Sequence, residues 1–167
     1  PRMRATHTAH KMKSCCNKAT VIQKLQADYD RANLSAHRAF MQGQIDLASA
    51  HYQRAFIIST RILSSSPPSE RVFQLSINAC LNCFDFCPAP NDNDDYHYLA
   101  VTGRALQKII SQQQDNMLRA AALSAYAEVY RLSHFLIKHD HCKQAATVAA
   151  EFKTCWALHS SLLMQFH

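Results

Sequence analysis

The stretch Ala36–Ala55, AHRAFMQGQIDLASAHYQRA, decides the fold class. Gly43 interrupts a run of helix-favouring residues, and glycine readily adopts the left-handed backbone that ends a helix. Ala48, Tyr52 and Ala55 follow at separations of four and three residues, which puts them on one face of a second helix. Small residues beside an aromatic ring let two helices approach closely while the ring fills the remaining space. The stretch therefore predicts a helical hairpin that turns at Gly43.

The same helical spacing continues outward from this hairpin, between two polar breaks. Ser64–Ser69, SSSPPS, cannot continue a helix because proline lacks the N–H that a helix interior needs, and Ser69 can cap the next helix. Pro88–Asp95, PAPNDNDD, is a second break whose final acids suit a helix N-terminus. Apolar and small residues elsewhere recur at separations of three and four. They predict six helices at about 17–42, 46–64, 70–87, 96–111, 116–138 and 141–166.

Composition agrees with one helical domain. The 167 residues include only 2 glycines, where average usage would give about 12, so little material exists for β-turns or phosphate-binding loops. Hydrophobic residues make up 48% of the chain, which is enough for a globular core. Short links between neighbouring helices favour antiparallel pairs. We therefore predict an all-α fold, a stack of three antiparallel helical hairpins.

The net charge of +6 is concentrated at one end of the chain. Six basic residues and no acid lie within the first 24 residues, and the other 12 lysines and arginines balance the 12 acids. This distribution divides the chain into a basic N-terminal arm at 1–16 and a helical domain at 17–167. The arm has the charge to meet nucleic acid or anionic lipid. It has no aromatic residues for base stacking, so nucleic-acid binding is not expected.

A second stretch repeats the pattern of the first. His134–Phe152, HFLIKHDHCKQAATVAAEF, has Asp140 at the turn, followed by Ala145, Ala149 and Phe152. Together the two stretches resemble tetratricopeptide repeats (TPR) over residues 29–62 and 126–156. HYQRAF and the six-helix layout also resemble a group of uncharacterised proteobacterial TPR-like proteins. The chain departs from the repeat pattern at the helix-A aromatic and Leu-Gly positions and at the usual proline, which are filled by Ala32, Ser35, Ala36 and Thr60.

The TPR resemblance implies a bacterial, non-enzymatic adaptor or chaperone-like protein that binds a peptide or partner helix in a concave groove. Phe40 falls at one of the positions that line the groove in the family, but a phenylalanine there serves equally well to close the core. The polar positions are more informative, because burying them without partners costs about 1–3 kcal/mol each. The groove residues of this chain do not reproduce the lysine–asparagine clamp by which some family members bind acidic C-termini. Carrying the family's register onto this chain places the groove at Asn33, His37, Met41, Asn82, Tyr130, Arg131, His134 and Lys138.

Three cysteines on the third helix support an alternative function. Cys80, Cys83 and Cys87 form C-x2-C-x3-C and project to a similar side of a helix, as a metal-binding or thiol redox-sensing site requires. His139 and His141 are further candidate ligands. The favoured interpretation is that the cysteines fill a tight helix interface, since they share a stripe with apolar residues and no fourth ligand is near. We therefore expect no metal and no cofactor.

Other functional classes lack their sequence signatures. No G-x-x-x-x-G-K-[ST], G-x-G-x-x-G or H-E-x-x-H motif occurs, so we predict that the chain is not an enzyme. No stretch approaches 18 consecutive apolar residues, so no membrane helix is expected. Seven cysteines without a secretion signal indicate reduced thiols and a cytoplasmic location. A homodimer is a further expectation, with its face on the C-terminal helix at Trp156, Leu162, Leu163 and Phe166.

Overall fold

The backbone is helical almost throughout. The computed structural model describes residues 5–87, 94–139 and 143–165, with side chains at 17–87, 96–135 and 144–165. Within these ranges there is no β-strand. The helices are α1 (Ala5–Met41), α2 (Ile45–Ser65), α3 (Glu70–Phe86), α4 (Asp94–Gln112), α5 (Asn116–His139), α6 (Lys143–His159) and α7 (Ser161–Met164).

The limits of α2 to α5 confirm the predicted ones to within two residues, but both ends of the chain differ. The predicted start of the first helix at residue 17 is wrong, because α1 already begins at Ala5. Residues 5–16 contain neither glycine nor proline, so nothing in their backbone chemistry stops the helix. A basic arm thus provides the first turns of α1.

The predicted continuous last helix is also wrong, because α6 ends at His159 and a separate turn, α7, follows. The N–H of Leu163 donates to the carbonyl of Ser160 at 3.1 Å, a three-residue spacing that winds the chain more tightly than an α-helix. α7 packs on α5, and Leu162 is buried there. Leu162 is therefore part of this chain's own core, which corrects its assignment to a dimer face. Phe166 lies outside the described residues.

The turn between α1 and α2 follows from Gly43. Its φ is +73°, the left-handed region that glycine enters without steric cost. The N–H of Gln44 donates to the carbonyl of Ala39 at 2.9 Å, and the N–H of Gly43 donates to the carbonyl of Phe40 at 2.9 Å. These bonds satisfy carbonyls at the end of α1 that have no partner within the helix. The predicted helix end at Gly43 is confirmed.

Side-chain caps set the starts of two later helices. Ser69 Oγ accepts from the N–H of Val72 at 3.2 Å, as its position before α3 predicts. Asp115 Oδ1 accepts from the N–H of Met117 at 2.8 Å and begins α5 in the same way. Each cap satisfies an otherwise unpaired donor in the first turn of a helix.

The helices form a stack in which each packs on its neighbours. From α1 to α6 each helix contacts the next, and α2 packs on α4, α3 on α5 and α4 on α6. α1, α3 and α5 therefore follow one side of the stack, and α2, α4 and α6 the other. Ala36, Ala48 and Ala55 are buried and α1 packs extensively on α2, as expected where small residues let two helices approach closely. The predicted all-α hairpin stack is confirmed. None of the described helices has an apolar stretch that would span a bilayer.

Arg119 ties three helix ends together at one edge of the stack. Its Nε donates to the carbonyl of Ile110 at 2.9 Å, and Nη1 donates to Oδ1 of Asn116 at 3.1 Å. Its Nη2 lies 3.1 Å from Nδ1 of His159. Because arginine is only a donor, this His159 nitrogen is the acceptor. The guanidinium thus joins the end of α4, the start of α5 and the end of α6.

Candidate functional site

A groove of about 610 Å³ lies between α1 and α3, on the side of the stack that α1, α3 and α5 share. It is called the α1–α3 groove below. Asn33 and His37 enter it from α1, and Asn82 enters from α3. The structure therefore brings together three residues that the sequence predicts as binding residues. The full lining is Tyr29, Asn33, His37, Tyr52, Asn78, Leu81, Asn82, Asp85 and Phe86.

Aromatic rings make a rigid base for this groove. The Tyr52 ring from α2 stacks on Phe86 from α3, with ring centroids 5.2 Å apart. Phe40 from α1 meets the Phe86 ring edge-on, with ring centroids 4.9 Å apart. Phe40 thus packs at the margin of the groove and, with Tyr52 and Phe86, holds three helices in fixed positions. A preformed cleft of this kind costs little ordering when a ligand binds.

The hydroxyl of Tyr29 links α1 to α3 beneath the groove. It donates to the carbonyl of Leu75 at 3.3 Å. Burial raises the pKa of Tyr29, and a hydrogen bond from the Asn33 side chain opposes that rise in part. Because the net shift is upward, Tyr29 stays protonated and remains the donor to Leu75. In the hydrogen bond between Asn33 and Tyr29, the side-chain amide N–H of Asn33 is the donor and the Tyr29 oxygen is the acceptor.

The other atom of that amide, Asn33 Oδ1, is buried and has no hydrogen-bond partner among the described residues. Leaving a buried acceptor unpaired costs about 1–3 kcal/mol. Asn33 as a whole is only half-buried, so a rotation of its side chain would bring this oxygen to the groove, where an N–H from a ligand would supply the missing hydrogen bond. The Asn33 oxygen is the most specific chemical feature of the groove.

Two more amides line the opposite wall, on α3. Asn78 and Asn82 are four residues apart and so lie on the same face of the helix. Asn78 Oδ1 accepts from Nε2 of Gln74 at 3.0 Å, which orients the Asn78 amide. Each side-chain amide has a donor and an acceptor, as the peptide backbone does. Amides on both walls can therefore pair with the main chain of an extended peptide.

Gln74 also borders a second, smaller groove of about 220 Å³ between α3 and α5, called the α3–α5 groove. The hydrogen bond from Gln74 to Asn78 thus spans the ridge of α3 that separates the two grooves. Polar side chains run from one groove to the other across this helix. The lining of the second groove is Glu70, Phe73, Gln74, Ile77, Ala121, Ser124, Ala125 and Glu128.

Tyr130 and Arg131 lie elsewhere, in a pocket of about 450 Å³ between α5 and α6. The Tyr130 ring stacks on Phe152 from α6 at 4.5 Å, and His134 stacks on Tyr130 at 6.0 Å. In the repeat register Phe152 corresponds to Ala55, so a ring in α6 attracts Tyr130 where α2 has only a methyl group. The predicted binding residues therefore divide between two sites. The pocket is lined by Ala127, Tyr130, Arg131, Phe152, Lys153 and Trp156.

Two further predicted residues line neither site. Met41 ends α1 with 72% of its surface exposed and does not line these cavities. The side chain of Lys138 lies outside the described residues. Met41 thus faces solvent, because the α1–α3 groove draws its α1 residues from the preceding turns.

Comparison with known proteins assigns the chain to a family. A family model described as a protein of unknown function (DUF2753) matches residues 28–166. The chain belongs to this family. The DUF2753 match includes every residue that lines the α1–α3 groove and the α5–α6 pocket. No curated protein and no solved structure matches the chain.

Within the DUF2753 region, Cys80, Cys83 and Cys87 are buried. Cys83 Sγ donates to the carbonyl of Tyr52 at 3.4 Å, and Cys87 Sγ donates to the carbonyl of Ser49 at 3.6 Å. Burial raises the pKa of the Cys80 thiol to about 12. The pKa of Cys83 is also raised, first by its hydrogen bond with Cys87 and then by burial. The Cys80 and Cys83 thiols are therefore protonated at neutral pH.

Protonated, buried thiols are poor metal ligands and poor nucleophiles, because the thiolate is the reactive form. Among the described residues, no three histidine, cysteine, aspartate or glutamate side chains are placed to hold a metal ion. The side chains of His139 and His141 lie outside the described residues. The geometry of the three cysteines favours the packing role over the metal or redox role.

Several groove residues were not among those predicted from the repeat register, notably Tyr29, Tyr52, Asn78 and Asp85. The spacing of Asn78, Asn82 and Asp85, at four and three residues, is a polar stripe beside the apolar stripe of α3. That spacing is a signal in the sequence for this wall. Tyr52 has no such signal, because an aromatic residue at its repeat position reads equally well as core.

Proposed function

We propose that this protein is a non-enzymatic adaptor that binds an extended segment of a partner protein in the α1–α3 groove. The observation that supports this proposal best is the buried Asn33 Oδ1 with no partner among the described residues. An extended peptide presents a backbone N–H and C=O at each residue, about 3.3 Å apart. Asn33 on one wall and Asn78 and Asn82 on the other offer matching acceptors and donors.

The chemistry of the lining supports binding rather than catalysis. It contains no serine, cysteine or lysine, so the side chains that most often form covalent intermediates are missing from this groove. His37 is exposed, and the lining contains no serine or cysteine that it could activate as a base. The ring of Phe86 and the side chain of Leu81 can receive an apolar side chain of the bound segment. Amides for the main chain with an apolar surface for side chains suit peptide recognition.

We place this function in the cytoplasm of a bacterial cell, where the partner would be another protein. The free thiols of Cys80, Cys83, Cys87 and Cys155 suit a reducing compartment. The resemblance to proteobacterial TPR-like proteins supports the bacterial assignment.

The test is selection of peptides from a displayed random library against the full chain, followed by affinity measurement. We expect Asn33→Ala combined with Asn82→Ala to weaken the selected peptides about tenfold or more, since each lost hydrogen bond contributes about 0.5–1.5 kcal/mol. Asn33→Ala removes the unpaired buried oxygen together with the amide hydrogen bond to Tyr29, and because these two losses act in opposite directions we expect only a small change in the stability of the free protein. Circular dichroism and thermal unfolding check that the variants are folded.

Matched controls locate the site. Gln23→Ala removes an exposed amide from α1 outside the groove, and Gln112→Ala does the same at the end of α4. Both should leave peptide affinity unchanged. Tyr130→Ala combined with Arg131→Ala tests the α5–α6 pocket. If that variant abolishes binding while the asparagine variant binds normally, the proposed site is wrong.

A further inference from the structure

Apart from His37 and the tyrosines, the ionisable side chains that line the two grooves beside α3 are acidic. Asp85 lines the α1–α3 groove, and Glu70 and Glu128 line the α3–α5 groove. Neither lining includes a lysine or an arginine. The net charge of +6 comes from the first 24 residues, and the nearest basic residue that forms an ion pair here, Arg131, is not part of either lining. A surface with carboxylates and without lysine or arginine favours a positively charged ligand.

Asp85 is the most significant of the three acids because of where it lies on its helix. It is exposed in the last turn of α3, which ends at Phe86, and this turn has no basic residue. The C-terminus of a helix carries about half a negative charge, so a carboxylate there is unfavourable. In the part of the chain that the structure describes, Asp85 forms no ion pair. Its charge and that of the helix end therefore add at the groove.

The other two acids have partners within the fold. Glu70 is in the first turn of α3, where the positive end of the helix dipole stabilises a carboxylate. Glu128 is paired with Arg131 at 2.9 Å. Neither of these carboxylates therefore needs a ligand to stabilise its charge. Asp85 is thus the carboxylate that a bound cation would stabilise most.

A second, independent feature of the groove is the acceptor Asn33 Oδ1, which, like the carboxylate of Asp85, would be stabilised by a hydrogen-bond donor from a ligand. It is buried and unpartnered among the described residues, and it lines the groove that Asp85 borders. We infer that the bound segment is basic, with a lysine or arginine side chain on Asp85 and an N–H group on Asn33 Oδ1. This inference rests on the proposed function and specifies the partner: an extended, lysine- or arginine-containing peptide segment.

The test compares three pools of synthetic peptides that share length and apolar content but are basic, neutral or acidic. Fluorescence anisotropy with the full chain measures affinity. We expect the basic pool to bind most tightly, and Asp85→Asn, which keeps the shape of the side chain, to weaken it about fivefold. Raising the salt from about 0.1 M to about 1 M should weaken it further, because the screening length falls from about 10 Å to about 3 Å.

Asp46→Asn is the matched control, since it removes one negative charge from an exposed site on α2 outside both grooves. It should leave affinity for the basic pool unchanged. Equal binding of all pools, lost only when Asn33 and Asn82 are replaced by alanine, would overturn the charge inference and keep the groove. Preference for the acidic pool would overturn it too. No binding, or binding that ignores both groove variants, would remove the proposed function as well.

Discussion

Gly103 in α4 lies against the ring of Tyr126 in α5, at a point where a side chain does not fit. A Cβ atom at Gly103 would be 2.7 Å from Cε2 of Tyr126. Tyr126 is fully buried, and its ring meets Phe152 edge-on at a centroid distance of 5.1 Å, so it has no free space to move into. Glycine within a helix costs about 0.5–1 kcal/mol relative to alanine. Close packing of the ring offsets that cost here.

Gly103→Ala should lower the free energy of unfolding by about 1–3 kcal/mol, because the added methyl group overpacks the core. The sign of this change in the free energy of unfolding shows whether the site is crowded, since glycine to alanine in an uncrowded helix raises stability by about 1 kcal/mol. Urea unfolding monitored by circular dichroism measures the change. In a Tyr126→Leu background the clash is gone, and Gly103→Ala should be neutral or stabilising. A stabilising effect in the wild-type background would contradict the argument.

At the scale of elements, α3 faces α2 through thiols whose spacing follows the helix. Cys83 and Cys87 donate to carbonyls of α2, and the Thr102 hydroxyl from α4 reaches Cys80. Burial raises the pKa of Cys80 from its ordinary value of 9.0 to about 12, with the Thr102 hydrogen bond opposing the rise. Ionisation of the interface therefore competes with folding at alkaline pH.

The stability of the fold should fall as pH rises above 9. Below pH 9 the Cys80 thiol keeps its proton in both folded and unfolded chains, so its contribution is constant. Between 9 and about 12 the unfolded chain loses the proton and the folded chain does not, which favours unfolding by on the order of 1.4 kcal/mol per pH unit. Urea unfolding across this range should show a shallower slope for Cys80→Ala.

The comparison between the two proteins isolates this thiol. Tyr29, Tyr52 and Tyr126 also have raised pKa values and add to the alkaline loss in both proteins. Identical slopes for wild type and Cys80→Ala would show that the buried thiol does not contribute.

Across the whole molecule, contacts join helices that are near one another in the chain. α1 packs mainly on α2, and the last hairpin packs on α4 and α3. Stacks of this kind have stabilities set by each hairpin and its nearest neighbours. Disturbance at one end should therefore weaken toward the other.

Ala48→Leu and Ala145→Leu test this at opposite ends, because both alanines are buried and hold corresponding positions after a turn. Each leucine forces its helix pair apart at a cost of about 1–3 kcal/mol. Hydrogen exchange should quicken mainly in α1 and α2 for Ala48→Leu and mainly in α5 and α6 for Ala145→Leu. Ala48→Leu should also weaken peptide binding in the α1–α3 groove more than Ala145→Leu does. Uniform acceleration in both variants would indicate one cooperative unit instead.

The sequence alone determined where α2 to α5 begin and end, because prolines, Gly43 and caps such as Ser69 act on the backbone beside them. It also predicted Asn33, His37 and Asn82, whose register along their helices sets the side they face. These properties are local, so a single stretch contains the information for them.

Tertiary structure decided how those faces meet. Tyr52 lies under the groove, and Asp85 borders it, only because α1, α2 and α3 converge there. Tyr130 lies outside the predicted groove because it stacks on Phe152. Leu162 is buried and not on the predicted dimer face, because α7 packs on α5. Helical periodicity assigns residues to faces. The shapes and volumes of side chains distant in sequence determine which faces pack together and where a cleft remains.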